Sequence, residues 1–397
     1  MRPDRVVNII GNAVVDLSRL FRLIQTPPPW FWGAEGRIWQ RPGQTSGPRL
    51  VLELIQQLHH WLRFPSRWRR FSTASLHEIP WPLIVQACWL NSYRPAELAW
   101  WWATGERSWA RLCRHAPDSL VGALHAQRRL TWPEQCRPAL RLLGDKAALL
   151  DCTPERWRPS ALLLGNDRVG QEAPLQPTPS WWDVALRGKG LVLKPQRGHA
   201  GRGVIRFRWT DNGLQQEALF RQLPDGSPSM AVDAPPEPRA LLEHWQRLCG
   251  GNEPALAAPY LSHSLELPAT EPSVVMRVIT AQASMDAAVA IHQAWLEVPL
   301  GQGSVAFLSV SGAALPHPGR SFAACEQAAL EDWQQRLGAE PPACLGAVLE
   351  AARAMHALLP PIDQVAWDWI PAEPEPMLLE GNGGFGMLVP QLWDRLG

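Results

Sequence analysis

The sequence predicts an α+β protein with a helical N-terminal region. Three observations carry this. Apolar stripes at helical spacing, interrupted by Pro, fill residues 1 to about 135. Short apolar runs bounded by turn residues appear from Leu162 onward. Two of those runs, near the C-terminus, each end in an acid, Asp368 and Glu380. A chain of 397 residues, 46% hydrophobic and 19% charged, has ample core and length for two or three domains. The expected division is a Trp-rich helical domain over 1–135, a small α+β subdomain over 136–222 and a large one over 239–397.

In chain order, Pro27-Pro28-Pro29 through Gly47 reads as a Pro/Gly-rich loop. Arg49 to Arg63 places Val51, Leu52, Ile55, Leu58, Trp61 and Leu62 on one helical stripe, and Pro65 ends it. Trp81 to Trp102 holds a further amphipathic stretch, broken at Pro95. Twelve of the 22 Trp precede Lys146. On a helix Trp100, Trp101 and Trp102 point three ways, so they read as core or interface filler ahead of a sugar-stacking platform. Arg67-Trp68-Arg69-Arg70-Phe71 is favoured as a solvated helix end, with weak peripheral contact to an anionic membrane as the other reading.

A net charge of +1 supplies no electrostatic argument for nucleic acid as a partner. No apolar run is long and uncharged enough for a transmembrane segment. Val6 to Leu17, with Asn8, Asn12 and Asp16, is too polar for a good signal-peptide core. The cysteines number seven, an odd count with no C-x-x-C pair, which fits reduced thiols and a cytoplasmic location.

From Leu162 the pattern changes. Leu191 to Lys194 and Val204 to Thr210 read as strands, and Asp211-Asn212-Gly213 as a hairpin turn leading into Leu214. Leu223 to Pro238 is a Pro-rich linker, and Arg239 to Leu248 a helix stopped by Gly250-Gly251. Val274 to Gln282 and Ala287 to Val298 are strands of a central sheet. Helices are expected over Phe322 to Leu337 and Leu345 to Leu358.

Lysine is rare here: Lys146, Lys189 and Lys194 are the whole set among 38 basic residues. Where Arg is the default, a Lys marks a place for a compact point charge, such as a narrow slot beside a phosphate. Lys194 ends a strand and opens Gln196-Arg197-Gly198-His199-Ala200-Gly201-Arg202-Gly203. Glycines at 198, 201 and 203 let backbone N–H groups approach an anion. The spacing and the strand–loop–strand context fit neither the Rossmann nor the Walker pattern. Lys189, in Arg187-Gly188-Lys189-Gly190, reads as a solvated turn residue.

Asp368 and Glu380 are expected at the ends of two adjacent strands joined by a Pro-rich connection. The period of two puts Asn382 on the face of Glu380. Such a set of oxygens suits Mg²⁺, which shares hard ligands with phosphates.

These pieces, in this order, resemble the ATP-grasp superfamily between Gly144 and Pro390. They are Gly144-Asp145-Lys146, the Lys194 strand with its Gly loop, Ser273 to Thr280 with Arg277, and Asp368 followed by Glu380-Gly381-Asn382. The resemblance implies two α+β subdomains gripping ATP. It implies Lys146 and Lys194 on the nucleotide, with Gly198, Gly201, Arg202 and Gly203 over the phosphates; His199 reads either as a phosphate or substrate contact or, slightly favoured, as a surface loop residue without a role. Lys194 and Arg277 become the catalytic cations, and Asp368, Glu380 and Asn382 the Mg²⁺ ligands. A narrower similarity is to the sugar-transfer-associated subgroup, related to α-L-glutamate ligase homologues. It rests on Trp89-Leu90-Asn91-Ser92-Tyr93-Arg94-Pro95, on Pro259-Tyr260 through Leu267, and on Val365 through Gly384. It adds Tyr260 to the nucleotide site. Departures fall on the acceptor side: Ala258 replaces a polar hinge residue, Glu297 stands where Arg is expected, and no Asn-Gly-Gly follows near Phe307 to Gly312.

The implied activity is an ATP- and Mg²⁺-dependent ligase. It activates a carboxylate as an acyl-phosphate for attack by an amine or other nucleophile, in polysaccharide or peptide-like metabolite biosynthesis. The implied partners are small carboxylate and amine substrates. The alternatives are an ATP-grasp-type kinase and a non-catalytic nucleotide-binding interaction protein.

Overall fold

The computed structural model describes residues 79–84, 87, 95–112, 137–165, 179–197, 203–219, 230, 234–262, 273–282, 287–301, 304–315, 324–339, 342–386 and 388–396. The expected loop Pro27–Gly47, the helix Arg49–Arg63 and the basic run Arg67–Phe71 lie outside these residues, as do Gly198, His199, Gly201 and Arg202.

The architecture is α+β, as expected: two five-stranded antiparallel sheets with helices packed on them. The first sheet comprises β1 (Leu162–Leu164), β2 (Leu191–Pro195), β3 (Ile205–Thr210), β4 (Gly213–Ala218) and β5 (Ala255–Pro259), in the order β1-β5-β2-β3-β4. The second comprises β6 (Val275–Ala281), β7 (Ala290–Gly301), β8 (Ser304–Ser309), β9 (Gln364–Ile370) and β10 (Met377–Asn382), in the order β10-β9-β6-β7-β8.

The period of two on β2 decides what each face does. Leu191 and Leu193 are fully buried on the face that packs with Trp182, Leu241 and Trp245. Val192 and Lys194 point the other way. Behind the sheet, the helix Pro238–Cys249 starts on Pro at its first turn and ends on Gly250 at φ +69°, the left-handed C-cap that glycine adopts without penalty. β3 and β4 pair from Thr210↔Gly213, which makes Asp211-Asn212 the two-residue hairpin loop.

In the second sheet one face is covered by the helices Ala324–Ala339 and Ala343–Leu358. Trp367 and Trp369 of β9 meet Trp333, Val348 and Met355 there. The other face carries Ile279, Trp295 and Ala366, packed with Phe385 and with Val389 and Trp393 of the C-terminal helix Leu388–Leu396. β9 is buried along all seven residues, on both faces.

Two expectations change. The acids do not end their strands: β9 continues to Ile370 and β10 to Asn382. Trp367-Asp368-Trp369 keeps the two-residue alternation, so a single charge does not stop the strand once Arg277 neutralises it across the sheet. Sheet membership also crosses residue 239. The helix Pro238–Cys249 and β5 join the first sheet, while Leu143, Leu149 and Trp157 pack into the core of the second.

The helices Arg137–Leu143 and Lys146–Cys152 lie against β10. Gly381 permits the approach, since a Cβ there would stand 2.7 Å from both Leu143 Cδ2 and Trp367 Cζ3. Ile79, Leu83, Ile84, Ala87, Leu98, Ala99, Trp101 and Leu112 form a separate apolar cluster with Leu315 and Leu392, in which Leu98 and Trp101 are fully buried. Trp100 and Trp102 are partly buried against it, and Trp100 meets Phe307 at 5.5 Å between ring centroids. All three Trp are packing residues.

Candidate functional site

A cavity of about 520 Å³ opens between the two sheets. Its walls divide by chemistry. Leu150, Val192, Leu256, Ala258 and Ile370 make an apolar wall, and Lys146, Lys194, Arg277, Glu297, Asp368 and Glu380 bring charge. Ligand cavities commonly have this composition, apolar with a few convergent polar groups.

Each charge is placed by an element already described. Lys194 projects from β2 away from the first sheet's core, and its Nζ donates to Leu379 O of β10 at 2.9 Å, joining the two sheets. Lys146 opens the helix Lys146–Cys152, and its Nζ stands 3.7 Å from Glu380 Oε2. The residue before it, Asp145, caps that helix by accepting from Ala147 N–H and Ala148 N–H, both at 3.2 Å. Gln196 and Arg197 also donate to the Asp145 carboxylate. The backbone N–H of Lys146 donates to Gln196 O, so the loop after β2 and the Lys146 helix hold one another.

Asp368 and Glu380 are direct partners in the β9–β10 register, and Asp368 also faces Arg277 across β6 and β9. Like charges opposite each other are costly unless compensated. The compensation is explicit. Arg277 donates to both Asp368 oxygens, at 2.6 and 2.7 Å, and its other side stands 3.6 Å from Glu297. Asn382 Nδ2 donates to Glu380 Oε1 at 3.2 Å, as two-residue spacing on one face requires.

Burial and charge compete at each group. Burial pushes the Lys194 ammonium down to about 8, although Glu380 pulls the other way. Burial pushes the Asp368 carboxyl up to about 6, opposed by Arg277. At Glu380 burial again favours the neutral acid, but Lys194 and Lys146 together outweigh it and hold the carboxyl below its usual range. Arg277 is likewise opposed by burial and held charged by Asp368 and Glu297. At neutral pH the Asp368–Arg277 pair is ionised on both sides.

The structure therefore gathers Lys146, Lys194, Arg277, Asp368, Glu380, Asn382 and Tyr260 around one cavity. Tyr260 accepts from Ser273 N–H at 2.7 Å through its hydroxyl and carries the Arg206 guanidinium 4.0 Å from its ring centroid. Gly203 lies beyond the cavity wall, against Trp245 and Cys249 at φ +69°, with its carbonyl accepting from Trp245 Nε1. Lys189 is exposed and donates to Ser262 Oγ, outside the cavity. Gln196, as the partner of Asp145, had no distinguishing signal in the sequence. Val192 was findable, since it shares the face of Lys194.

The donor set fits Mg²⁺ by chemistry. This ion takes hard oxygens and is commonly held by one or two carboxylates plus substrate phosphates. Asp368, Glu380 and Asn382 supply such oxygens on adjacent strands. Among the described residues no group of three His, Cys, Asp or Glu side chains could hold a metal without such help. Each Asp368 oxygen accepts one N–H from Arg277 and keeps a further lone pair with which it could serve a metal.

Fold and site define a class: a two-sheet α+β protein with a cavity between the sheets, lined by lysines on one side and by acids and an arginine on the other. No family model matches the chain, and no curated protein matches it. Solved structures resemble it loosely. An N5-carboxyaminoimidazole ribonucleotide synthetase in its ADP complex shares 10% identity over 62% of this chain and 46% of its own, at a TM-score of 0.33. The N5-carboxyaminoimidazole synthase of Aspergillus clavatus, with ADP and 5-aminoimidazole ribonucleotide, shares 13% over 62% and 45%, at 0.32. The D-alanine–D-alanine ligase of Bacillus anthracis, with ATP, shares 13% over 66% and 62%, at 0.35. The chain spans less than two thirds of the length of each of these. With likeness at this level, the functional reading rests on the site itself. Among the described residues no helix is long and apolar enough to cross a membrane.

Proposed function

We propose that the chain binds ATP with Mg²⁺ between its two sheets and uses it to ligate a carboxylate to an amine or other nucleophile, as ATP-grasp ligases do. One observation carries this reading. Lys194 of the first sheet and Lys146 of the helix against β10 converge on β10, where Glu380 and Asp368 stand paired in register beside Arg277. A triphosphate needs cations, and its metal needs oxygens. The cavity offers both within one layer of side chains, beside an apolar wall suited to a base.

In this reading Lys146 and Lys194 hold phosphate oxygens, and Arg277 meets the transferring group. Asp368, Glu380 and Asn382 hold Mg²⁺, which when bound neutralises phosphate charge. Fixed cations act where negative charge concentrates and need no reorganisation in a dry site. A substrate carboxylate oxygen forms a bond to the γ-phosphorus as the bond to ADP breaks. An amine nitrogen then forms a bond to the acyl carbon as phosphate leaves with the electron pair and the amine loses a proton. No protein nucleophile is required.

The test is calorimetry with Mg²⁺ and ATP, followed by ADP release in the presence of carboxylate and amine pools. The expected result is saturable binding, with release that needs both pools. Release supported by one hydroxyl or carboxylate compound without an amine would make the protein a kinase. Absence of ATP binding would remove the reading.

A further inference from the structure

The pocket-facing side of the second sheet carries a row of charges: Glu380 on β10, Asp368 on β9, Arg277 on β6 and Glu297 on β7. Each acid but the last is fully matched. Glu380 has Lys146, Lys194 and Asn382. Asp368 has both oxygens on Arg277. Among the described residues Glu297 is ion-paired with Arg277 alone, at 3.6 Å, beyond hydrogen-bonding distance and to a guanidinium already committed to Asp368. Its register partner on β6 is the apolar Val275, and two residues away on its face stands the buried Trp295.

The cavity is thus polarised. Both lysines sit at the β10 end, and Glu297 sits three strands away. Glu297 would repel phosphates, and it stands two strands from Asp368 and three from Glu380. A carboxylate seated at the β7 end would meet like charge in a half-buried setting. An ammonium would meet the one carboxylate whose ion pairing is loose.

We propose that Glu297 is a specificity residue that seats a cationic group of the second substrate, an ammonium other than the attacking neutral amine, at the end of the cavity remote from the lysines. This rests on the ligase reading above. Glu297 makes the second substrate a compound presenting positive charge, and excludes one presenting a second carboxylate.

The test uses straight-chain diamines of two to six carbons and dicarboxylates of matched length. Their binding is measured by calorimetry with the protein holding Mg²⁺ and a non-hydrolysable ATP analogue. At least one diamine should bind more tightly than its matched dicarboxylate. Glu297→Gln should weaken it by roughly ten- to hundredfold, the scale of one charged hydrogen bond. Glu297→Arg should reverse the preference. Binding of the ATP analogue in each variant shows that the cavity has formed. Equal binding of the two series, binding of neither, or a diamine preference that survives Glu297→Gln would overturn this inference while leaving the ligase reading standing. Failure of the wild type to bind nucleotide would overturn both.

Discussion

Lys194 gives the sharpest prediction, because its cost in the unliganded protein can be worked out. Its ammonium is partly buried and donates to one carbonyl, Leu379 O. Burial brings it from an ordinary 10.5 to about 8, a loss of about 3 kcal/mol in preference for the charged form. The sign follows from proton counting. Between about pH 8 and 10.5 the unfolded chain holds more protons than the folded one at this site. The penalty is therefore full below about pH 8 and fades as pH rises toward 10.5. A polyanion bound beside Lys194 restores its affinity for the proton. ATP binding at pH 8 should then take up about half a proton at this group. Lys194→Met keeps the stem, removes the charge and should abolish that uptake. It should also weaken ATP binding by about 1.5–3 kcal/mol, or roughly ten- to hundredfold. The assay is calorimetry at pH 8 in two buffers of different ionisation enthalpy. Equal proton uptake and equal affinity in wild type and Lys194→Met would refute the placement of phosphate at this lysine.

Two further outcomes follow from the same geometry. Asp368, with its carboxyl pushed up to about 6, should lose metal-binding capacity as it protonates. Mg²⁺-dependent ADP release should fall as pH drops through about 6, and Asp368→Asn should hold it low at every pH; full turnover in that variant would place the metal elsewhere. Gly381→Ala would force a methyl against Leu143 and Trp367, and should cost about 1–3 kcal/mol, read as a lower Tm.

Much of this site was legible because its residues break local patterns. Lysine stands out in an arginine-rich chain, Lys194 interrupts an apolar strand, and Asp368 sits between two Trp. Each departure is a place where charge overrides packing. Less legible was one interior strand of the first sheet. β5, Ala255-Leu256-Ala257-Ala258-Pro259, is buried at four of its five residues, yet alanine carries little strand preference. Its role comes from neighbours on both sides, β1 and β2, which are distant in sequence. Strand ends were misplaced for a related reason. An acid reads as a boundary when its partner, 91 residues away in the case of Arg277 and Asp368, cannot be seen. Helix positions over 324–358 were close to their expected bounds, since local periodicity decides them.

The charge array is hard to explain by stability. Buried ion pairs cost desolvation that their attraction only partly returns, and apolar replacements of similar volume are often neutral or stabilising by about 1–4 kcal/mol. β9 already offers an apolar setting. Ala366, Trp367, Trp369 and Ile370 are buried around Asp368, and an aliphatic residue would continue that core. Instead the strand carries a carboxylate, which requires Arg277 from β6, and a second acid stands opposite it on β10, neutralised by two lysines from outside the sheet. Three cations and three acids then line one cavity at near-neutral charge. Folding alone gains nothing from that balance. A polyanion arriving with a divalent cation does, because each of its charges meets an opposite one already fixed in place, and the desolvation has been incurred before it binds. That asymmetry favours Lys146, Lys194, Arg277, Asp368 and Glu380 as binding residues over structural ones.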